Sequence, residues 1–210
     1  MKKKYNLIIF DLDGTLLDTS LGIFNSVRYA EKMMNFEPIK DEVLKKFVGP
    51  PPKEMYKKIY NVSENEALLA AKYHREYGKT QAIYEAKVYP KVIEVLDSLK
   101  KDKIKLAVAT LKSQNIAEKI LQYFDLDKFF DVIVGMDEKE TLTKADTIRI
   151  SMEKVGIKDN VLMIGDSKYD ELGAKEINVD FISVLYGFGF NKDNKTEFFI
   201  ENIKDIFKYL

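Results

Sequence analysis

The sequence predicts an α/β protein: a Rossmann-like parallel β-sheet core flanked by helices, with an all-helical segment inserted after the first strand. Three observations predict it. Five apolar runs of strand length, at 5–10, 104–109, 131–134, 160–164 and 180–185, are unbroken Val/Ile/Leu stretches, the pattern of strands covered on both faces. From the second run onward, the segments between them carry helical spacing, and such alternation means βαβ units and a parallel sheet. Between the first run and the next core helix lies a long stretch whose composition is neither loop nor strand.

Taken in order, the first strand ends at Phe10, just before Asp11. The insertion then reads as helices at Leu21–Met34, Asp41–Val48, Lys53–Tyr60 and Glu64–Ala86, all rich in Glu, Lys, Ala and Leu. Gly49-Pro50-Pro51-Pro52 is a stiff turn that feeds a helix start. Residues 16–85 are expected to form the helical domain, and residues 1–15 with 86–210 the α/β core. Within the core, Lys91–Lys101 sets Val92, Val95, Leu96 and Leu99 on one stripe. Ser113–Phe124 opens on an N-cap residue, and Ala145–Val155 stops before Gly156.

Composition narrows the chemistry. The 210 residues contain no Cys and one His, His74, which excludes thiol nucleophiles, disulfide scaffolds and cysteine-built zinc sites. His74 itself reads as a helix-surface residue. The 34 basic and 34 acidic residues balance, against the basic stripe of a nucleic-acid binder. The apolar run after Lys2-Lys3-Lys4 stops at Asp11, too soon for a signal peptide, and no stretch approaches a membrane span. A cytoplasmic protein, monomer or homodimer, is expected. The only Arg residues are Arg28, Arg75 and Arg149, so anion binding falls to Lys, hydroxyls and backbone N–H groups.

The strand ends carry the chemistry. Asp11-Leu12-Asp13-Gly14-Thr15 follows the first strand directly, where open parallel sheets bind ligands. Two carboxylates at i and i+2 can hold a hard cation, and one can attack an electrophile while the other serves as acid and base. A second acidic turn, Gly165-Asp166-Ser167-Lys168-Tyr169-Asp170, follows the fourth strand. The two sets of carboxylates repel unless a divalent cation lies between them, and oxygen-only ligands point to Mg²⁺. Thr110 after the second strand and Lys144 at the helix after the third supply donors of the opposite polarity. Together they would enclose a phosphate.

These residues resemble, in order, the four motifs of the haloacid dehalogenase superfamily, in the phosphoglycolate-phosphatase-like branch with a helical cap after strand one. The likeness covers nearly the whole chain. It implies an Mg²⁺-dependent phosphatase acting on a small phosphorylated metabolite through an aspartyl-phosphate. Asp11 would be the nucleophile and Asp13 the acid and base, while Thr110 and Lys144 would hold the phosphoryl oxygens. The metal ligands would be Asp11, the Asp13 carbonyl and Asp166. Asp170 would ligate directly, act through water or orient Lys144, three roles that stay open. Asp13 favours phosphate over carbon–halogen chemistry. The stretch Asp18–Ile23 lacks the hinge His of the β-phosphoglucomutase type, which stands as the alternative, along with a non-catalytic phosphate-binding or phospho-relay protein. Substrate specificity is expected in the cap, with Lys53 and Arg28 as its candidate cations.

Overall fold

The computed structural model describes residues 4–138 and 141–210, so Lys2 and Lys3 lie outside the described residues. The chain opens on β1 (Leu7–Phe10) and passes through β2 (Leu17–Asp18) into α1 (Ser20–Met34), α2 (Asp41–Leu44), α3 (Pro52–Tyr60) and α4 (Glu64–Thr80). It returns through β3 (Lys87–Val88) to α5 (Val92–Lys101), β4 (Lys105–Ser113), α6 (Gln114–Tyr123), β5 (Val132–Met136) and α7 (Lys144–Val155). The last elements are β6 (Val161–Gly165), α8 (Lys168–Glu176), β7 (Asp180–Val184) and β8 (Phe199–Ile200).

Six strands form one sheet in the order β5-β4-β1-β6-β7-β8, with every neighbouring pair parallel. β1 and β6 are buried along their whole length, which explains their unbroken apolar sequences. Ile8 and Phe10 face a core shared with Leu106, Val108, Leu162 and Ile164. Leu7 and Ile9 face a second one, with Ala107, Ile148 and Met163. Phe10 is in register with Val108 on one side and Ile164 on the other. The residues just past these three positions therefore share one edge. The chain leaves β1 towards β4 on one side and reaches β6 on the other, so this edge is the switch point of the sheet.

The helical insertion has a core of its own, in which Ile23, Val27, Leu44, Phe47, Tyr56, Ala67 and Ala70 meet. A reciprocal cap between Ser63 and Glu66 starts α4. Where the periodicity extends this helix to Ala86, the structure ends it at Thr80. A short 3₁₀ turn follows over Ala82–Tyr84 and drops Ile83 into the core beneath the sheet. The insertion is tethered by β2 and β3, two residues each and paired antiparallel. Among the described residues, no helix is long and apolar enough to cross a membrane.

Candidate active site

β1 and β6 end side by side, and their buried backbones deliver Asp11 and Asp166 to the same point. The two carboxylates are buried, as is Asp170 in the first turn of α8. One oxygen from each of the three lies within 4.8 Å of the others. The packing around Asp166 requires glycine: a Cβ on Gly14, whose φ is +83°, or on Gly187 would occupy the space of its carboxylate. The backbone N–H of Phe188 donates to Asp166 Oδ2 at 2.7 Å. The loop 186–190 after β7 thus closes one side of the site, a contribution only faintly marked in the sequence by Gly187 and Gly189.

Lys144 stands among these acids. A reciprocal cap between Thr143 and Asp146 starts α7, and the first helical residue sends its side chain inward. Its ammonium donates to Asp11 Oδ1 and, at 2.6 Å, to the Ala109 carbonyl, and it pairs with Asp170 Oδ1 at 2.7 Å. Burial alone would lower the pKa of Lys144, but Asp11 and Asp170 more than reverse this and raise it. Burial pushes Asp11 up to about 7, against the pull of Lys144 and with Asp170 and Asp13 adding to the rise. Asp166 is raised for the same first reason, then by Asp170 and Asp11. Three buried carboxylates against one buried ammonium leave the cluster short of positive charge. Its donors are all oxygens, and these residues therefore fit a divalent cation.

Asp13 lines a small cavity together with Asp11, Thr110, Lys144, Asp170 and Gly49. Thr19 Oγ1 donates to Asp13 Oδ1, and Lys112 Nζ lies 3.0 Å from both of its carboxylate oxygens. Neither partner stands out in the sequence, since Lys112 is one of many lysines and Thr19 lies outside the acidic turns. Thr110 is buried on the same cavity, and its hydroxyl accepts from the Lys112 N–H at 3.2 Å. Asp170 Oδ2 accepts from the Ser167 N–H and hydroxyl at 2.9 and 2.7 Å.

In the insertion the two candidate cations are held by acids, and one expectation is corrected. Arg28 pairs with Glu31 and Asp41 at 2.9 and 2.8 Å, where the buried Glu31 also accepts from Tyr60 and from the Ile39 N–H. Lys53 pairs with Glu64 at 3.1 Å. Both cations serve contacts within the insertion, and neither lines the cavities at Asp13. The corrected one is His74, expected on the helix surface: it is 8% exposed, with its Nδ1 3.2 Å from the Tyr56 hydroxyl. Burial lowers its pKa to about 3, with Lys112 and Arg75 adding to the effect. The unfolded chain protonates near 6.5, so the stability contributed by a neutral His74 is full above that pH and is lost as pH falls towards 3. A single imidazole makes this measurable. Its NMR signals are expected to show no titration step between pH 8 and pH 5, and a step near 6.5 would place the ring in solvent.

The haloacid dehalogenase-like hydrolase family matches this chain over residues 8–184. A 5'-nucleotidase of Pseudomonas aeruginosa is 35% identical over 188 residues, 89% of this chain and 85% of that protein. A pyrophosphatase PpaX of Halalkalibacterium halodurans is 32% identical over 189 residues, 86% and 84% of the two chains. Among solved structures, a predicted phosphatase from Clostridium acetobutylicum aligns with a TM-score of 0.91 at 38% identity, over 97% of both chains. With acidic turns at the ends of β1 and β6 and a helical insertion after the first of them, the chain belongs to the haloacid dehalogenase-like hydrolase family.

Proposed function

We propose that this protein is an Mg²⁺-dependent phosphatase that hydrolyses a small phosphate monoester through an aspartyl-phosphate on Asp11. The observation that carries the reading is the buried cluster of Asp11, Asp166 and Asp170 around Lys144, with Asp13 beside it on an open cavity. Relatives named as a 5'-nucleotidase and a pyrophosphatase support phosphoryl chemistry.

In this reading an Asp11 oxygen bonds to phosphorus as the ester P–O bond breaks, and the departing alkoxide takes a proton from Asp13. Asp13 then takes a proton from water, whose oxygen attacks the phosphoryl group, and phosphate leaves with Asp11 restored. Thr110 and Lys144 hold the phosphoryl oxygens. Mg²⁺, held by Asp11, Asp166 and the Asp13 carbonyl, supplies charge neutralisation when bound. Asp170, whose two oxygens are engaged by Lys144 and Ser167, is assigned to orienting Lys144. Residues 16–85 form the domain that covers the site. Tyr169 of the core, which lines the small cavity, donates to Glu54 of the insertion at 3.3 Å.

The first test is p-nitrophenyl phosphate. Hydrolysis is expected with Mg²⁺ and is expected to fall to background in EDTA, returning when Mg²⁺ is restored in excess. Hydrolysis that survives EDTA undiminished would remove the metal from the reading. Isomerisation of glucose 1-phosphate without release of phosphate would place the protein among the mutases instead.

A further inference from the structure

The small cavity adjoins a larger one between the insertion and the core, an empty space of about 750 Å³, part of it open to solvent. The two share Asp13, Gly49 and Leu111. An ester whose phosphoryl group meets Asp11 therefore has this larger space for its leaving group. The wall there is mostly hydrocarbon: Ile23, Phe47 and Ile83 from the insertion side, and Ile116, Ile120 and Met136 from the core.

The charged side chains of this wall are Asp13, Lys112 and Arg75. Asp13 and Lys112 offset each other, since the ammonium lies 3.0 Å from both carboxylate oxygens. His74, in the same wall, is kept neutral by burial, with Lys112 and Arg75 adding to the effect. Both cations therefore bear on one imidazole from close by. The charge that Asp13 does not offset is the guanidinium of Arg75, half-buried on α4, whose own pKa burial lowers. Arg75 has an interaction of its own, but its Nη1 is buried and makes no hydrogen bond. A buried donor of a charged group left without an acceptor is costly, and an anionic oxygen in the cavity would satisfy it.

We infer that Arg75 is a specificity-determining residue, whose Nη1 holds a second anionic group, a carboxylate or a phosphate, on the leaving-group side of the substrate. The inference rests on the phosphatase reading above and deepens it. A guanidinium is less strongly hydrated than an ammonium and matches both kinds of anion, which suits it to a half-buried wall. The hydrocarbon around it sharpens the choice. An uncharged leaving group leaves the buried donor unmet, and a second anion away from Arg75 loses its water and gains nothing in return. Between its two anions the substrate meets Ile, Phe and Met side chains, so an apolar spacer fits there.

The experiment compares kcat/KM, with Mg²⁺, on one ring: benzyl phosphate, its uncharged 3-hydroxymethyl derivative, and its 3-carboxy and 3-phosphonomethyl derivatives. The better anionic ester is expected to exceed both uncharged ones by about tenfold or more, through KM, and its identity tells carboxylate from phosphate. In Arg75→Met that preference is expected to disappear, while Arg75→Lys keeps part of it. Ser113→Asp is an independent variant. Ser113 lines this cavity and an outer groove, as Arg75 does, and it stands at the N-cap of α6, where Asp serves equally well. The new carboxylate competes for the guanidinium, and the preference is expected to fall by about the same factor. Anionic esters turned over no better than uncharged ones overturn the inference and leave the phosphatase reading intact. A preference kept in full by Arg75→Met, or by Ser113→Asp should Arg75→Met not fold, overturns the role of Arg75. No turnover of any ester, p-nitrophenyl phosphate included, overturns both readings.

Discussion

Replacing Asp11 by Asn is expected to lower kcat on p-nitrophenyl phosphate by at least about 10³-fold, a loss of about 4 kcal/mol of transition-state stabilisation. An amide has the shape of the carboxylate but forms no acyl phosphate under these conditions. The same substitution has a second signature, in stability. The folded pKa of Asp11 is raised to about 7 by burial. The unfolded chain releases this proton near 4 and the folded chain keeps it to about 7, so rising pH across that window favours unfolding. In EDTA the wild-type melting temperature is therefore expected to fall between pH 5 and pH 8, and Asp11→Asn to reduce that fall. Loss of activity with stability kept or gained separates a nucleophile from a packing residue. Undiminished hydrolysis by Asp11→Asn would end the covalent mechanism.

Lys144→Met is the second substitution with a large expected effect. It keeps the hydrocarbon stem and removes the one ammonium buried among Asp11, Asp166 and Asp170. Breaking a buried ion pair from one side costs about 3–5 kcal/mol, because the charge left behind stays desolvated. Urea unfolding in EDTA at pH 8 should show a loss of that order. At pH 5 the loss is expected to shrink, since Asp11 and Asp166, both raised, take up protons and no longer need the ammonium. Equal losses at the two pH values would mean that Lys144 acts by packing alone. Activity with Mg²⁺ should fall by at least about 10²-fold, through loss of an oriented donor to the phosphoryl group.

What the sequence made legible follows from what each element does. β1 and β6 are covered on both faces, so their apolar runs and the acidic turns that follow them were readable directly. β8 and the β2–β3 tether are two residues per strand, too short for any periodicity to register. His74 is the instructive case. Ala67, Ala70, Ala71 and Gly78 mark the buried stripe of α4, and His74 falls on it. The stripe is built of small residues, while Leu68 and Leu69 lie outward at 43% and 42% exposure, so bulk hydrophobicity pointed to the wrong face. Arg28 and Lys53 show the opposite problem: a cation in sequence carries no mark of the carboxylate it will meet. Lys112 was hidden among its fellow lysines, and only the fold brings it to Asp13.

The central place of β1 also orders events on the ribosome. Ile8 pairs with Leu106 on one side and Leu162 on the other, so the first strand to emerge waits for partners made much later. The insertion, with its own interior, is complete before either partner appears. Lys144 follows β5 and precedes β6, and Asp166 and Asp170 are the last of the charged cluster to be translated. A nascent chain therefore carries the proposed nucleophile from the start yet has no means of using it. The three acids and Lys144 come together only once β6 lies beside β1 and α8 and the loop 186–190 have followed it.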